Sequence, residues 1–476
     1  MHTVEDMIDD VVTEFPVETQ PGMHVPARVV ADAALLGAMR GDRSLAQLLN
    51  VATLPGTWGA VVGMPDMHEG YGFPVGGVAA TLLPGGAISP GGIGFDINCG
   101  VRLLASPLRL ADVEAQLEPF IHELSRSIPT GFGRHGRLSL AASELDRVLA
   151  EGSRWVVRAR GMGGEEDLEA TESGGCLGAA DPAAVSARAR ERGREQLGTL
   201  GGGNHFLEVQ EVERVEDARA AEAFGLFEGQ LVVLLHTGSR GLGHQVCTDA
   251  VREMDAWLLR AGVALVDRQL AYAPLSSPEG KAYLAAMSAA ANFAWANRQV
   301  LTHRVREVAE RVLGPGRARM RVVYDVAHNI AKIERHGGRD LCVHRKGATR
   351  AFGPGSPELP SAYAEVGQPV FIPGSMGTGS WVLAGNGDPS VRTFASCCHG
   401  AGRTLSRHAA KAQVSGPVLR RELEARGIHV RCPSNAELAE EAPAAYKDVD
   451  RVVEVVAAAG IARRVARLRP RAVLKG

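Results

Sequence analysis

At 476 residues the chain can bury a large core, and its length alone allows two or three domains. Its 52 Lys and Arg against 54 Asp and Glu leave a net charge of −2, so any nucleic-acid surface must be a local basic patch. That balance, with only 5% aromatic residues, argues against a non-catalytic RNA-binding module.

In chain order, 1–56 is predicted as an N-terminal segment packing on the rest. Short apolar runs punctuated by Gly and Pro predict strands at 58–62, 75–83 and 101–108. Residues 112–127 have helical spacing, with Val113, Leu117, Ile121 and Leu124 on one face and Asp112 as N-cap. The Gly-rich, acidic stretch 161–181 predicts a flexible surface loop. A charged helix follows at 183–196, then strands at 206–212 and 231–236, the second apolar throughout as a strand buried on both faces is. Helices are predicted at 243–259, 281–313, 403–412 and 446–459, and strands at 319–326, 341–344, 370–372 and 381–383. Helices and strands interleave without regular alternation. This predicts an α+β fold, one catalytic domain over 1–476 with a mixed or antiparallel sheet core flanked by helices.

Seven cysteines form no C-x-x-C pair and no disulfide-like framework. The start is acidic (Glu5, Asp6, Asp9, Asp10) rather than signal-like, and no apolar run reaches the ~20 residues of a membrane span. A cytoplasmic protein without a membrane partner is expected.

Five candidate metal ligands stand beside strands or glycine loops. Asp96 and Cys99 lie in GGIGFDINCG, His205 in GGGNHFLEV, His236 ends LVVLLH, and His328 ends RVVYDVAH. Strand ends fix direction and glycine lets backbones approach, so these side chains can converge on one or two divalent ions. By softness the thiolate and imidazoles suit zinc. For a single strand-end histidine a hydrogen-bonded core residue is the favoured reading; several beside strands or glycine loops are harder to read that way.

In FASCCHGAGRTLSRHAAK, His399 precedes Gly400 and Gly402, and a helix start near Arg403 would offer an anion site. Neutral imidazole there could attack phosphorus; a helix cap with a nearby histidine is the plainer account. Ser375 and Ser380 in PGSMGTGSW could meet phosphates, although no P-loop pattern occurs. GFGRHG at 131–136 fits a dinucleotide fingerprint but lacks a preceding strand. Arg240, Arg345, Lys346 and Arg350 are candidate RNA-phosphate contacts, or an ordinary solvated charge run.

Together the ordered blocks PDMHEGYGFPVGG, GGIGFDINCGVR, GTLGGGNHFLE, HTGSRGLG, YDVAHN, HRKGATRAF, PGSMGTGSW and SCCHGAGR, with Lys475, resemble the RtcB family of RNA ligases. The resemblance covers the chain from about residue 65. It implies an RtcB-like fold and a GTP- and Mn²⁺-dependent joining of RNA 3′-phosphate or 2′,3′-cyclic phosphate ends to 5′-hydroxyl ends. It further implies two Mn²⁺ ions bridged by Cys99, one completed by Asp96 and His205 and the other by His236 and His328. His399 becomes the guanylate acceptor, with Asp66 as a functional aspartate. Asn204, Glu208, Ser375, Ser380, Tyr446 and Lys475 match positions that hold the nucleotide. Beside them, the anion-site reading of the residues adds Gly400 and Gly402 to the nucleotide contacts and Arg403, with Arg240, to the RNA contacts. Implied partners are tRNA halves or cleaved RNA and an archease-type activator, on a monomeric enzyme. A dinuclear phosphoesterase without ligase activity is the rival; it would need the metal ligands but not His399, Ser375 or Lys475. A lysine nucleotidyl transferase is disfavoured, since no lysine sits in K-x-D-G.

Overall fold

The computed structural model describes residues 11–131, 133, 135–136, 138–388 and 392–476. The acidic start at 1–10, and Phe132 and Arg134 of GFGRHG, lie outside them. The strands are β1 (Val12–Phe15), β2 (Ala27–Val30), β3 (Val61–His68), β4 (Val75–Leu82), β5 (Ala87–Ile88), β6 (Gly100–Arg109), β7 (Phe206–Val215), β8 (Gln230–Thr237) and β9 (Ala273–Pro274). They continue as β10 (Arg321–Ala327), β11 (Asn329–His336), β12 (Arg339–Lys346), β13 (Ala348–Arg350), β14 (Pro369–Ile372), β15 (Ser380–Gly385), β16 (Ser396–Cys398), β17 (His429–Arg431) and β18 (Ala462–Lys475). Two sheets dominate, in the orders β1-β2-β3-β4-β12-β11 and β10-β6-β8-β7-β18-β15-β14, with β17 pairing β18. Pairing is antiparallel except for β2 with β3 and β17 with β18. The expected α+β class holds.

The helix Pro278–Leu313 packs on β8 of one sheet and β11 of the other. Pro278 occupies its first turn and the Ser277 hydroxyl accepts from Gly280 N at 3.0 Å, so its start is capped. Ala289, Ala290, Ala291, Ala294 and Ala296 are fully buried, and their small side chains let the helix run through the core. Every residue of β8 is buried, which fits its unbroken apolar run. Among the described residues no helix is long and apolar enough to cross a membrane.

Three expectations change. Residues 11–56 do not merely pack on the domain, because β1 and β2 are strands of the six-stranded sheet. The stretch 161–181 is not a surface loop. It carries the helix Glu165–Glu169 and buries Asp167, Thr171 and Glu172, with Glu172 accepting from Lys332 Nζ at 2.5 Å and Ala327 N at 2.9 Å. Two of its acidic residues, Asp167 and Glu172, are partners for cations rather than signs of solvation, while Glu165, Glu166, Glu169 and Asp181 stay exposed. The helix expected from Arg403 begins at Arg407, where the Ser406 hydroxyl caps Ala409 N. The helix that follows His399 therefore starts eight residues beyond it rather than beside it.

Candidate metal centre and active-site cleft

Strand register builds the metal centre. β10, β6, β8 and β7 lie side by side, with Ala327 opposite Gly100, Val101 opposite His236, and Phe206 opposite His236. Their ends therefore present His328, Cys99, His236 and His205 in one row, on strands ~4.8 Å apart. The His328 amide donates to Cys99 O at 2.9 Å and fixes that end of the row. Asp96 reaches in from the turn before β6, where Cys99 N donates to Asp96 O at 2.9 Å. A Cβ on Gly238 would stand 2.4 Å from Asp96 Oδ1, so this carboxylate needs glycine beside it.

Cys99 Sγ stands 3.2 Å from His236 Nε2 and 3.4 Å from His205 Nε2. His236 Nε2 is 3.3 Å from His328 Nε2, and His205 Nε2 is 2.7 Å from Asp96 Oδ2. Cys99, His236 and His328 form one triad and Asp96, Cys99 and His205 the other, sharing the thiol. Ligands held ~2.1 Å from one ion stand ~3.0–3.4 Å apart, which is the spacing seen around Cys99. His236 Nδ1 and His328 Nδ1 are buried without a hydrogen-bond partner. Burial pushes both imidazoles well below their ordinary pKa, so they are neutral and able to ligate. Burial and Asp96 raise the Cys99 thiol, a cost that a divalent cation offsets by holding the thiolate. The residues fit a pair of divalent ions sharing Cys99.

His399 follows β16, in the wall of a cleft of about 330 Å³ beside this cluster. Its Nδ1 lies 2.6 Å from Asp66 Oδ2, and its amide donates to the same oxygen at 3.2 Å. Asp66 is fully buried at the irregularity in β3, where the ladder with β4 shifts between Gly63 and His68. The carboxylate holds the proton on Nδ1, leaving Nε2 as the lone-pair nitrogen. His399 and His328 ring centroids are 4.8 Å apart. Gly402, at φ +77°, passes so close to Asp66 that a Cβ would meet Asp66 O at 2.2 Å.

Asn204, Glu208, Ser375, Gly400, Gly402, Tyr446 and Lys475 line the same cleft. Lys475 faces Phe206 across β18 and β7, and its ammonium donates to His205 O at 3.1 Å. Burial raises the Glu208 carboxyl to about 7 against the pull of Gln210 and Lys475. Ser380 stands one layer behind, its hydroxyl accepting from Gln210 Nε2 at 3.0 Å.

The basic candidates divide. Arg345 is fully buried, with both terminal nitrogens on Glu334 at 2.7 and 2.8 Å, and Arg350 lies 3.2 Å from Glu172 and 2.5 Å from Glu358. These two hold the fold and are not RNA contacts. Lys346 lines the cleft but donates to Tyr71 O and Phe73 O, and burial lowers it to about 7. Arg403 donates to Tyr446 Oη at 3.0 Å and Glu440 O at 2.7 Å, so it braces the wall. Arg240 donates to His205 Nδ1 at 2.7 Å, directly behind the candidate metal ligands. The sequence reading missed Arg407 and Glu441, both in the cleft and 3.1 Å apart. Arg407 lay within the quoted SCCHGAGR region's continuation, whereas Glu441 left no local signal.

Residues 47–476 match the family model described as tRNA-splicing ligase RtcB. The chain is 52% identical over 482 residues to the tRNA-splicing ligase RtcB of Archaeoglobus fulgidus, covering 100% of both. It is 54% identical over 475 residues to that of Thermococcus kodakarensis, covering 98% of each. The RNA-splicing ligase RtcB of Mycobacterium tuberculosis is 52% identical over 438 residues, which are 90% of this chain and 100% of the relative.

Proposed function

Because the chain belongs to the RtcB family, we propose that this RNA ligase seals 3′-phosphate or 2′,3′-cyclic phosphate ends to 5′-hydroxyl ends through a guanylate carried on His399. The observation that carries this reading is the Asp66–His399 contact of 2.6 Å at the junction of a nucleotide-sized cleft and a two-ion ligand set.

With Nδ1 held by Asp66, His399 Nε2 attacks the α-phosphorus of GTP. A P–N bond forms, the bond to the β-phosphate oxygen breaks, and pyrophosphate leaves. Asp66 then faces the positive charge that develops on the ring. A 2′,3′-cyclic end must first add water across its P–O2′ bond to give the 3′-phosphate. An oxygen of that phosphate then takes the guanylate from nitrogen, and the 5′-hydroxyl, giving up its proton, finally attacks the activated 3′-phosphorus and releases GMP. Two Mn²⁺ ions, held by Asp96, Cys99, His205, His236 and His328, would neutralise charge on the transferring phosphoryl oxygens. Glu208 accepts from the guanine edge, Lys475 and Asn204 flank it, and Ser375 and the Gly400–Gly402 backbone cradle the phosphate.

The test is incubation with Mn²⁺ and α-³²P-GTP, followed by denaturing electrophoresis of wild type beside His399→Ala. An acid-labile label on wild type alone is expected. Label on both proteins would move the nucleophile elsewhere, and hydrolysis of phosphate esters without label on either would favour a phosphoesterase.

A further inference from the structure

A second cleft, of about 580 Å³, opens on the far side of Asn204 and His205 and reaches the metal ligand Asp96. It meets the nucleotide cleft at Phe95, Asn204 and Arg407, which line both. Arg192, Arg240 and Arg407 line it together with the carboxylates Asp96, Glu191 and Glu195, of which Glu195 is paired with His135 at 2.5 Å, so its cations are local rather than a uniformly basic wall.

Three rings form a ladder across the junction. Tyr71 and Phe95 have centroids 5.4 Å apart at 66°, and Phe95 and His244 are stacked at 4.9 Å and 28°. Tyr71 belongs to the first cleft, His244 to the second, and Phe95 to both. Phe95 precedes the metal ligand Asp96, so the ladder is anchored at the reacting centre. His244 is its exposed end, on the first turns of the helix Arg240–Ala261. An imidazole braced from behind by a phenyl ring presents its other face to whatever enters the cleft. Nucleobases stack on such rings with little regard to sequence.

Joining two RNA ends requires a polynucleotide terminus at the metal centre while guanylate occupies the first cleft. Resting on the ligase reading, we propose that the second cleft receives the terminal nucleotide of one RNA end, its base stacked on His244 and its phosphate set against the cleft's arginines. His244 is then a positioning residue for RNA, remote from the GTP step.

The experiment uses the full chain with Mn²⁺, GTP and a pair of RNA strands, intact or carrying an abasic terminal nucleotide on the 3′-phosphate or the 5′-hydroxyl strand. His244→Ala is expected to raise the KM for intact RNA about tenfold, the scale of one lost base stack, and His244→Phe to restore it. An abasic terminus on the strand that uses the cleft should raise the wild-type KM similarly and add nothing in His244→Ala, which identifies the end. RNA-free labelling by α-³²P-GTP is followed in parallel. A wild type that neither labels nor seals counts against the ligase reading itself. A wild type that does both, with His244→Ala unchanged in KM, His244→Phe as poor as Ala, or an abasic penalty undiminished at both ends, overturns the stacking subsite.

Discussion

Two buried polar clusters share the same strands three residues apart, and they are built on opposite rules. Three residues before His328 on β10 stands Asp325, and three residues after Cys99 on β6 stands Arg102. Asp325 accepts from Arg102 Nε at 2.8 Å, from Arg298 Nε and Nη2 at 2.8 Å each, and from Trp295 Nε1 at 3.1 Å. Both of its oxygens are satisfied, and none of these side chains is exposed by more than a trace. At the strand ends, the thiol and imidazoles face one another with His236 Nδ1 and His328 Nδ1 unpartnered. A saturated network fixes the frame; an unsaturated one, held by that frame, is left to bind.

The contrast is sharpest at Cys99. Cys99→Ala should lose both ions together, since the thiol is shared, and cut the His399 label by more than about a thousandfold without lowering the melting temperature. Metal analysis, labelling and calorimetry together check this, and retention of one tightly bound ion with full labelling would break the shared-ligand reading. Asp325→Asn should do the reverse. Removing one partner leaves Arg102 and Arg298 buried without their countercharge, a loss of about 3–5 kcal/mol in stability. Urea unfolding that shows less than about 1 kcal/mol would mean the inner network is no scaffold.

The smallest effect concerns Glu208. Its carboxyl ionises at 4.5 in an unfolded chain but only at about 7 when buried, so between those values the folded protein keeps a proton the unfolded chain has lost. Folding therefore weakens as pH rises through that window. On the proposed guanine contact, GTP binding should have the opposite slope, because guanine donors need the ionised carboxylate. Affinity should be about tenfold weaker at about pH 6 than at about pH 8, and Glu208→Gln should flatten the profile. A titration of labelled nucleotide against wild type and variant reads it; an unchanged slope in the variant would assign the proton elsewhere.

The convergence of the candidate metal row was legible because apolar strands such as LVVLLH end in the candidate residue, and a strand's direction can be read without its neighbours. Charge was less legible. Arg345 and Arg350 look like a basic patch in HRKGATR, yet their carboxylate partners Glu334, Glu172 and Glu358 are named only by tertiary pairing. The same holds for β18, which sequence reading passed over because ARRVARLRPRAVLK is rich in arginine. Those arginines pair across the sheet, Arg469 with Glu211 at 2.6 Å and Arg464 with Glu216 at 2.9 Å. Register shifts between Arg467 and Leu468, and between Pro470 and Ala472, break the alternation that would have betrayed the strand.

β18 also sets the order in which the molecule can be assembled. It lies inside the eight-stranded sheet between β7 and β15, yet its contact from Arg469 to Glu211 closes a loop of 258 residues. Such a pairing forms late and slowly, because a long stretch of chain must be ordered before the contact rewards it. Until it docks, β7 and β15 each show an open edge, and the row of metal ligands is bordered by backbone that any other extended segment could pair with. Nascent or refolding chains should thus pass through an aggregation-prone state in which most of the ligands are already in line, and chaperone demand should concentrate on that interval.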